Sequence, residues 1–306
     1  MRHEAYGAAA RLEPKGDSHD LSIRRDPDNE RRVPHGAYQY DDAFQNMAAT
    51  GSAYTARRII SAMRTVLPIR SVIDIGCARG TWLSEWQAQG VDDVVGMDGD
   101  YVDRSQLEID PQCFVAADLA APFKLGRQFD VAQSLEVAEH LPPARAGGFV
   151  TDMVAHAPAV LFSAATPGQG GENHRNEQAG DFWQKLFLDH DYVAVDCFRP
   201  LLERELTVPA WYRYNLMLYV RRGDIEQISP FAREFQLCDG EWISDISPLP
   251  YRLRKLIVRS FPRSICDRVA RWNARRFSIS NDRPAKGADQ VAAVGGDISP
   301  AVESGS

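Results

Sequence analysis

The stretch "SLEVAEHLPP", Ser134 to Pro143, sets Glu136, Glu139 and His140 at spacing i, i+3, i+4, directly after the apolar run "FDVAQ". On a helical turn those positions share one face, so two carboxylates and an imidazole can converge on one ligand. Three chemistries are open to such a set. It can hold a divalent cation, it can move protons as an acid/base group, or Glu139 and His140 can cap or pair locally at the start of a helix. A second group of similar residue types follows in "SAATPGQGGENHRNEQAGDFW", with His174, Asn176 and Glu177. Which chemistry applies depends on the elements that bring the two stretches together.

Those elements alternate. "RSVIDIG" is a short apolar run suited to a buried parallel strand, "TWLSEWQAQG" is a helix closed by Gly90, and "DVVGMD" and "CFVAADL" are two further strands. "QFDVAQSL" is a fourth strand and "PAVLFSAA" a fifth, with a helix inside "AEHLPPARAGGFVTDMVAHA" between them. "AGDFWQKLFLDHDY" is a helix, "VAVDCFRP" a sixth strand and "NLMLYVRR" a seventh. The stretch between the last two shows no helical crossover, so they are expected to be antiparallel. The expected fold class is α/β: a Rossmann-like, doubly wound seven-stranded sheet, mostly parallel, with a final antiparallel hairpin.

In such a sheet the ligand lies beyond the carboxyl ends of the strands. The first strand ends there in "DIGCARG", with Asp74, Gly76 and Gly80. A glycine-rich turn opening a helix lets backbone approach a ligand closely. No G-K-[ST] follows, so it is not a Walker loop, and Ala78 stands where G-x-G-x-x-G has its middle glycine. Asp74 separates the remaining readings: it would repel a pyrophosphate but can pair with the ammonium group of an amino-acid ligand such as S-adenosylmethionine.

"VIDIGCARGTWL" resembles the first motif of class I S-adenosylmethionine-dependent methyltransferases, [DE]-x-G-x-G-x-G, with Cys77-Ala78 departing at the central glycine. The resemblance implies a cofactor site of Asp74, Gly76, Cys77 and Gly80, with Asp98 and Gly99 at the ribose hydroxyls. It further implies Asp118 and Leu119 at the adenine, and Ser134 beside the methionine portion. The E-x-x-E-H pattern with its later T-P…H…E…W segment is similar to metal-dependent O-methyltransferases. Two groups carry it: the small-RNA 2′-O-methyltransferases and, for E-x-x-E-H alone, the ubiquinone-pathway catechol enzymes. That similarity implies a divalent metal (Mg, Mn, Zn or Fe) held by Glu136, Glu139, His140 and His174, with His140 and His174 as catalytic residues. The wider run also resembles a bacterial branch of uncharacterised methyltransferases.

Composition limits the acceptor. The formal net charge is −7 and uneven: from Tyr251 to Arg276 nine Lys/Arg face one acidic residue, which leaves about −15 on the rest. An acidic body lacks the Lys/Arg excess that neutralises phosphate, so no nucleic-acid partner is expected. The expected partner is a small-molecule acceptor: a sugar, a glycolipid headgroup or a natural product methylated at a hydroxyl. N- or C-methylation, or cofactor cyclisation, is the alternative on the same fold and would not need the Glu/His cluster. A non-catalytic cofactor-binding protein would show weak cofactor affinity and no turnover. Aromatic residues Trp211, Tyr212, Tyr214 and Tyr219 suit an acceptor pocket or plain core packing.

The expected division is a flexible leader, 1–35, and a methyltransferase domain, 36–222, made of a helical lid segment (36–68) and a sheet core (69–222). A basic amphipathic helical extension, 223–277, and a disordered tail, 278–306, follow. The extension is open to two readings, packing on the acidic body or peripheral membrane and glycolipid contact through 251–277. Five scattered cysteines without a C-x-x-C pair, no apolar signal segment and no run long enough to cross a bilayer point to a cytoplasmic location.

Overall fold

The computed structural model describes residues 42–281. The leader (1–35) and the tail from 282 onward lie outside them. In chain order the elements are α1 (Asp42–Val66), β1 (Ser71–Ile75), α2 (Thr81–Ala88), β2 (Asp93–Asp98), β3 (Phe114–Ala116), β4 (Val131–Leu135), α3 (Ala146–Val154) and β5 (Ala159–Ser163). Then come α4 (Gly180–Leu188), β6 (Tyr192–Val195), α5 (Phe198–Leu202), α6 (Ala210–Asn215), β7 (Met217–Arg221), α7 (Pro230–Arg233), α8 (Leu249–Arg259) and α9 (Arg263–Asn281).

The strands form one sheet in the order β3-β2-β1-β4-β5-β7-β6. β7 is antiparallel to both neighbours and every other pair is parallel. The order reverses between β1 and β4, so the carboxyl ends of these two central strands flank the crevice where such sheets bind ligands.

Strand pleating sends alternate residues to opposite faces, and each face has its own apolar layer. Val72 and Val94 meet Ile59, Ile60 and Met63 of α1 and Leu83 and Trp86 of α2 on one side. Ile73, Val95 and Met97 meet Phe149, Val150 and Met153 of α3 and Trp183 and Phe187 of α4 on the other. Covered on both faces, β5 is buried at all five residues, which is why its sequence reads as a continuous apolar run.

The expected hairpin is present, but the segment before β7 is corrected. The sixth strand stops at Val195, and the stretch that showed no helix holds α5 and α6. Five and six residues are too short for a helical period to register, and Pro200 and Pro209 interrupt the pattern. These helices exist because Phe198, Leu202, Tyr212 and Tyr214 are buried in place, a tertiary effect. α9 also runs to Asn281, four residues past the expected boundary at 277.

The basic extension attaches through polar contacts. Lys255 of α8 is buried and donates to Asp245 at 2.5 Å, while Asp267 of α9 accepts from the Asn173 amide at 2.9 Å. α9 also lies against α1. Leu253, Leu256, Ile257, Phe261 and Trp272 remain exposed. Among the described residues no helix is long and apolar enough to cross a membrane.

Phe187 is fully buried and stacks on Tyr219, with centroids 3.8 Å apart and planes 10° from parallel. Phe187→Ala is therefore expected to cost about 3–5 kcal/mol of folding free energy. Urea denaturation would check this, as a lower midpoint at unchanged slope.

Candidate active site

β1 runs into a turn whose backbone is left-handed at three points: Gly76 (φ 92°), Ala78 (φ 48°) and Gly80 (φ 83°). At Gly76 a Cβ would also overlap Val137, in the loop after β4, so the two ligand-facing loops touch there. Ala78 sits in a conformation that penalises a side chain by roughly 1–2 kcal/mol. A hydrogen bond offsets this, because the Ala78 amide donates to Asp98 Oδ2 at 2.7 Å. Asp98 Oδ1 accepts from the Gly99 amide and the Tyr101 hydroxyl, each at 2.6 Å. The Tyr101 ring lies over Gly99, where a Cβ would overlap it. Sequence reasoning missed Tyr101.

Asp74 is buried at the same turn. Desolvation pushes its carboxyl up to about 7, against the pull of the Gln133 amide and with a further push from Asp98. Burial likewise raises Asp98, against hydrogen bonds from Tyr101 and the Ala78 and Gly99 amides. Cys77 is buried, and desolvation with the nearby Asp98 and Asp74 drives its thiol well up, which favours the protonated form over the reactive thiolate.

Asp118 accepts from the Ala120 amide at 2.9 Å, and the Leu119 carbonyl accepts from Arg145 at 3.0 Å. Arg145 also donates to the Ala121 carbonyl and to Asp152, so it braces the Asp118–Leu119 turn. No sequence motif marked this arginine. The Ser134 hydroxyl donates to the Ile75 carbonyl at 2.8 Å, fully buried, and ties β4 to β1.

Beyond β4 the chain turns left-handed at Glu136 (φ 57°) and makes a single 3-10 turn, Ala138–His140. Glu139, His140 and His174 each present a ligand atom, all within 4.8 Å of one another. Both Glu139 oxygens are buried without a hydrogen-bond partner. Burial and the neighbouring Glu136 carboxylate push its pKa well above the usual range. The His140 and His174 rings meet edge to face, 4.9 Å between centroids. Burial, then the adjacent His174, pulls His140 down to about 3, so it is neutral at neutral pH.

Glu136, the fourth expected ligand, is engaged elsewhere. Its Oε2 accepts from Gln169 at 2.7 Å and its Oε1 from Asn215 at 3.4 Å, and Asn215 also donates to Gln169 at 2.8 Å. Glu177 holds His174 instead, receiving Nδ1 at 2.8 Å and the amides of Gly168 and Gly170 at 2.7 and 2.8 Å. Burial opposes its ionisation, but these donors together keep its pKa below the usual value. His174 is thereby held through Nδ1, with its Nε2 edge against Gly171. Gly171 makes room for that ring, since a Cβ there would overlap it.

Gly171→Ala is therefore expected to displace the His174 ring and to destabilise the fold by roughly 1–3 kcal/mol. Imidazole NMR signals and a thermal denaturation midpoint would read both effects.

Comparison with known proteins gives one family match. The family described as "Methyltransferase domain" matches residues 32–186. None of the proteins of curated function matches the chain. Among solved structures, DesVI from Streptomyces venezuelae is 15% identical with a TM-score of 0.45, over 60% of this chain and 99% of its own. The sugar N-methyltransferase KedS8 from a Streptoalloteichus species is 16% identical with a TM-score of 0.44, over 72% and 99%. Magnesium protoporphyrin IX methyltransferase from Synechocystis, with bound SAH, is 17% identical with a TM-score of 0.40, over 61% and 90%. The family match spans half of the sequence and takes in the glycine turn, the E-x-x-E-H cluster and the His174 loop, so the chain belongs to the methyltransferase-domain family and is an S-adenosylmethionine-dependent methyltransferase.

Proposed function

We propose that the chain methylates a hydroxyl of a small polyhydroxylated acceptor, a sugar, a glycolipid headgroup or a natural product, with the assistance of a divalent cation. The observation that carries the reading is Glu139, whose two oxygens are buried close to two imidazoles, with only its own amide and that of Ala165 nearby and no well-formed hydrogen bond to either. Ionised, such a carboxylate needs a cation; protonated, it leaves a buried donor unsatisfied. Native proteins rarely keep such a group without a ligand. Glu139, His140 and His174 would hold the cation, and Glu177 fixes the His174 tautomer from behind, as carboxylates do for ligating histidines. A bound cation supplies Lewis acidity that makes a hydroxyl a better nucleophile.

At the other end of the site, Asp74 would face the ammonium of S-adenosylmethionine, Asp98 and Gly99 the ribose, and Asp118 and Leu119 the adenine. The cofactor supplies a methyl group on a sulfonium centre. Glu136, steadied by Gln169 and Asn215, would orient the acceptor hydroxyl. A second reading rests on the His174–Glu177 pair. Held through Nδ1, His174 could take the hydroxyl proton at Nε2 without metal, as a general base.

Glu139→Gln separates the two. Under the metal reading it abolishes Mn²⁺ or Zn²⁺ binding in calorimetry and lowers turnover by at least about a hundredfold, while leaving the metal-free protein as stable or more stable. Retained metal affinity and turnover in Glu139→Gln would overturn the reading. Turnover of vicinal diols but not amines is the expected acceptor pattern.

Asp74 predicts a pH dependence. With its carboxyl at about 7 before ligand binds, it must release a proton to meet an ammonium group below that pH. Affinity for S-adenosylhomocysteine is thus expected to be level above pH about 7 and to fall by up to about tenfold per unit below it. Asp74→Asn should weaken binding and flatten the profile, which calorimetry in buffers of different ionisation enthalpy would show.

A further inference from the structure

A wide-mouthed, largely open cavity of about 650 Å³ lies between the α5–α6 segment and α8. Three arginines line it, Arg204, Arg213 and Arg254, against one acidic residue, Glu203. Among the described residues the Arg204 side chain makes no hydrogen bond or ion pair, its carbonyl alone accepting from the Leu206 amide. Arg213 has a buried Nε without a partner, and its Nη1 reaches only the Glu203 carbonyl, at 3.3 Å. Arg254 spends one nitrogen on the Gln169 carbonyl, at 2.9 Å, and keeps the rest of its fork. On a chain of net charge −7, three guanidiniums around one hollow are an imbalance that an anion would relieve.

The walls between the arginines are aromatic and apolar. Tyr214 and Tyr251 stand 5.6 Å apart between ring centroids, and a leucine, an alanine and two prolines complete the lining. The same walls are bonded to the candidate active site. Tyr214 precedes Asn215, which donates to Glu136, and the Gln169 held by Arg254 donates to Glu136 from the other side.

We propose that this cavity is the acceptor subsite and that the acceptor carries a phosphate beside its hydroxyls. Arg204, Arg213 and Arg254 bind the phosphate through charge-assisted hydrogen bonds, for which guanidinium forks are suited. Tyr214 and Tyr251 line the body of the molecule and point its hydroxyls toward Glu136. The inference rests on the proposed polyhydroxylated acceptor and assigns α8 a part in substrate binding. The phosphate could belong to a soluble sugar phosphate or to a lipid headgroup, since Leu249 and Leu253 of α8 are exposed near the cavity.

The test uses the full chain saturated with S-adenosylhomocysteine. It is titrated with glucose 1-phosphate, with glucose, and with phosphatidylcholine vesicles with and without phosphatidylinositol. The expected result is binding of the phosphorylated ligand in preference to glucose, weakened about tenfold or more in Arg204→Ala and in Arg254→Ala. The Arg204 side chain has no partner to lose among the described residues, so its variant tests the site with little effect on the fold. Arginine-dependent binding to phosphatidylinositol vesicles alone would support the subsite and assign the phosphate to a lipid. Equal affinity for glucose and its phosphate, or binding unchanged in both variants, would overturn the proposal while S-adenosylhomocysteine still binds. Loss of S-adenosylhomocysteine binding in the parent chain would instead overturn the cofactor reading.

Discussion

The backbone amides of Arg175 and Asn176 donate to the carbonyl of Glu139, at 2.7 and 2.9 Å, and the histidine-bearing end of the site depends on that pair. The two loops it joins leave adjacent strands, β4 and β5, which already run in parallel register from Val131↔Ala159 to Leu135↔Ser163. Sheet pairing brings the loops close, and the two amides set their depth. His174 then faces Glu139 and His140, although more than thirty residues separate the two stretches in sequence. The Glu139 carbonyl thus accepts two hydrogen bonds while its side-chain oxygens have no well-formed one. A site built this way holds its polar atoms in place before any ligand arrives, which is the condition for tight coordination or for positioned proton transfer.

Such a loop needs support from outside the sheet, and the C-terminal helices supply it. Arg254 takes the Gln169 carbonyl, Lys255 reaches Thr166 and Asp245, and Asp267 takes the Asn173 amide. The extension therefore touches the His174 loop at three places and also walls one side of the arginine-lined cavity. Its charge serves two purposes. Part of it is consumed in holding the loop, and part remains turned to the cavity or the surface.

The glycine-turn end of the site follows a different logic. Asp74 and Asp98 are both buried and both raised by desolvation, so a cationic partner beside them would favour their ionised forms. Asp98 compensates by accepting three hydrogen bonds, one of them from the left-handed Ala78. The departure from a glycine at this position is thus tolerated through a tertiary contact, at a place where backbone conformation alone would disfavour it.

Read by itself, the sequence carried the alternation of strands and helices, the final antiparallel pair, the glycine turn and the E-x-x-E-H cluster. Each is a short-range pattern: hydrophobic period, turn residues, or spacing within one or two turns. It did not carry α5 and α6, whose few residues fold only because the core buries them. Nor did it carry the fate of Glu136, which shares a helical face with Glu139 and His140 on paper. In the folded chain its own left-handed backbone breaks that face, and Gln169 and Asn215, 33 and 79 residues away, claim its carboxylate. Arg145 under the Asp118 turn and the three arginines of the cavity were equally silent. They become legible only in three dimensions, because a charge acquires meaning from what surrounds it, and those neighbours come from strands and helices that local spacing cannot connect.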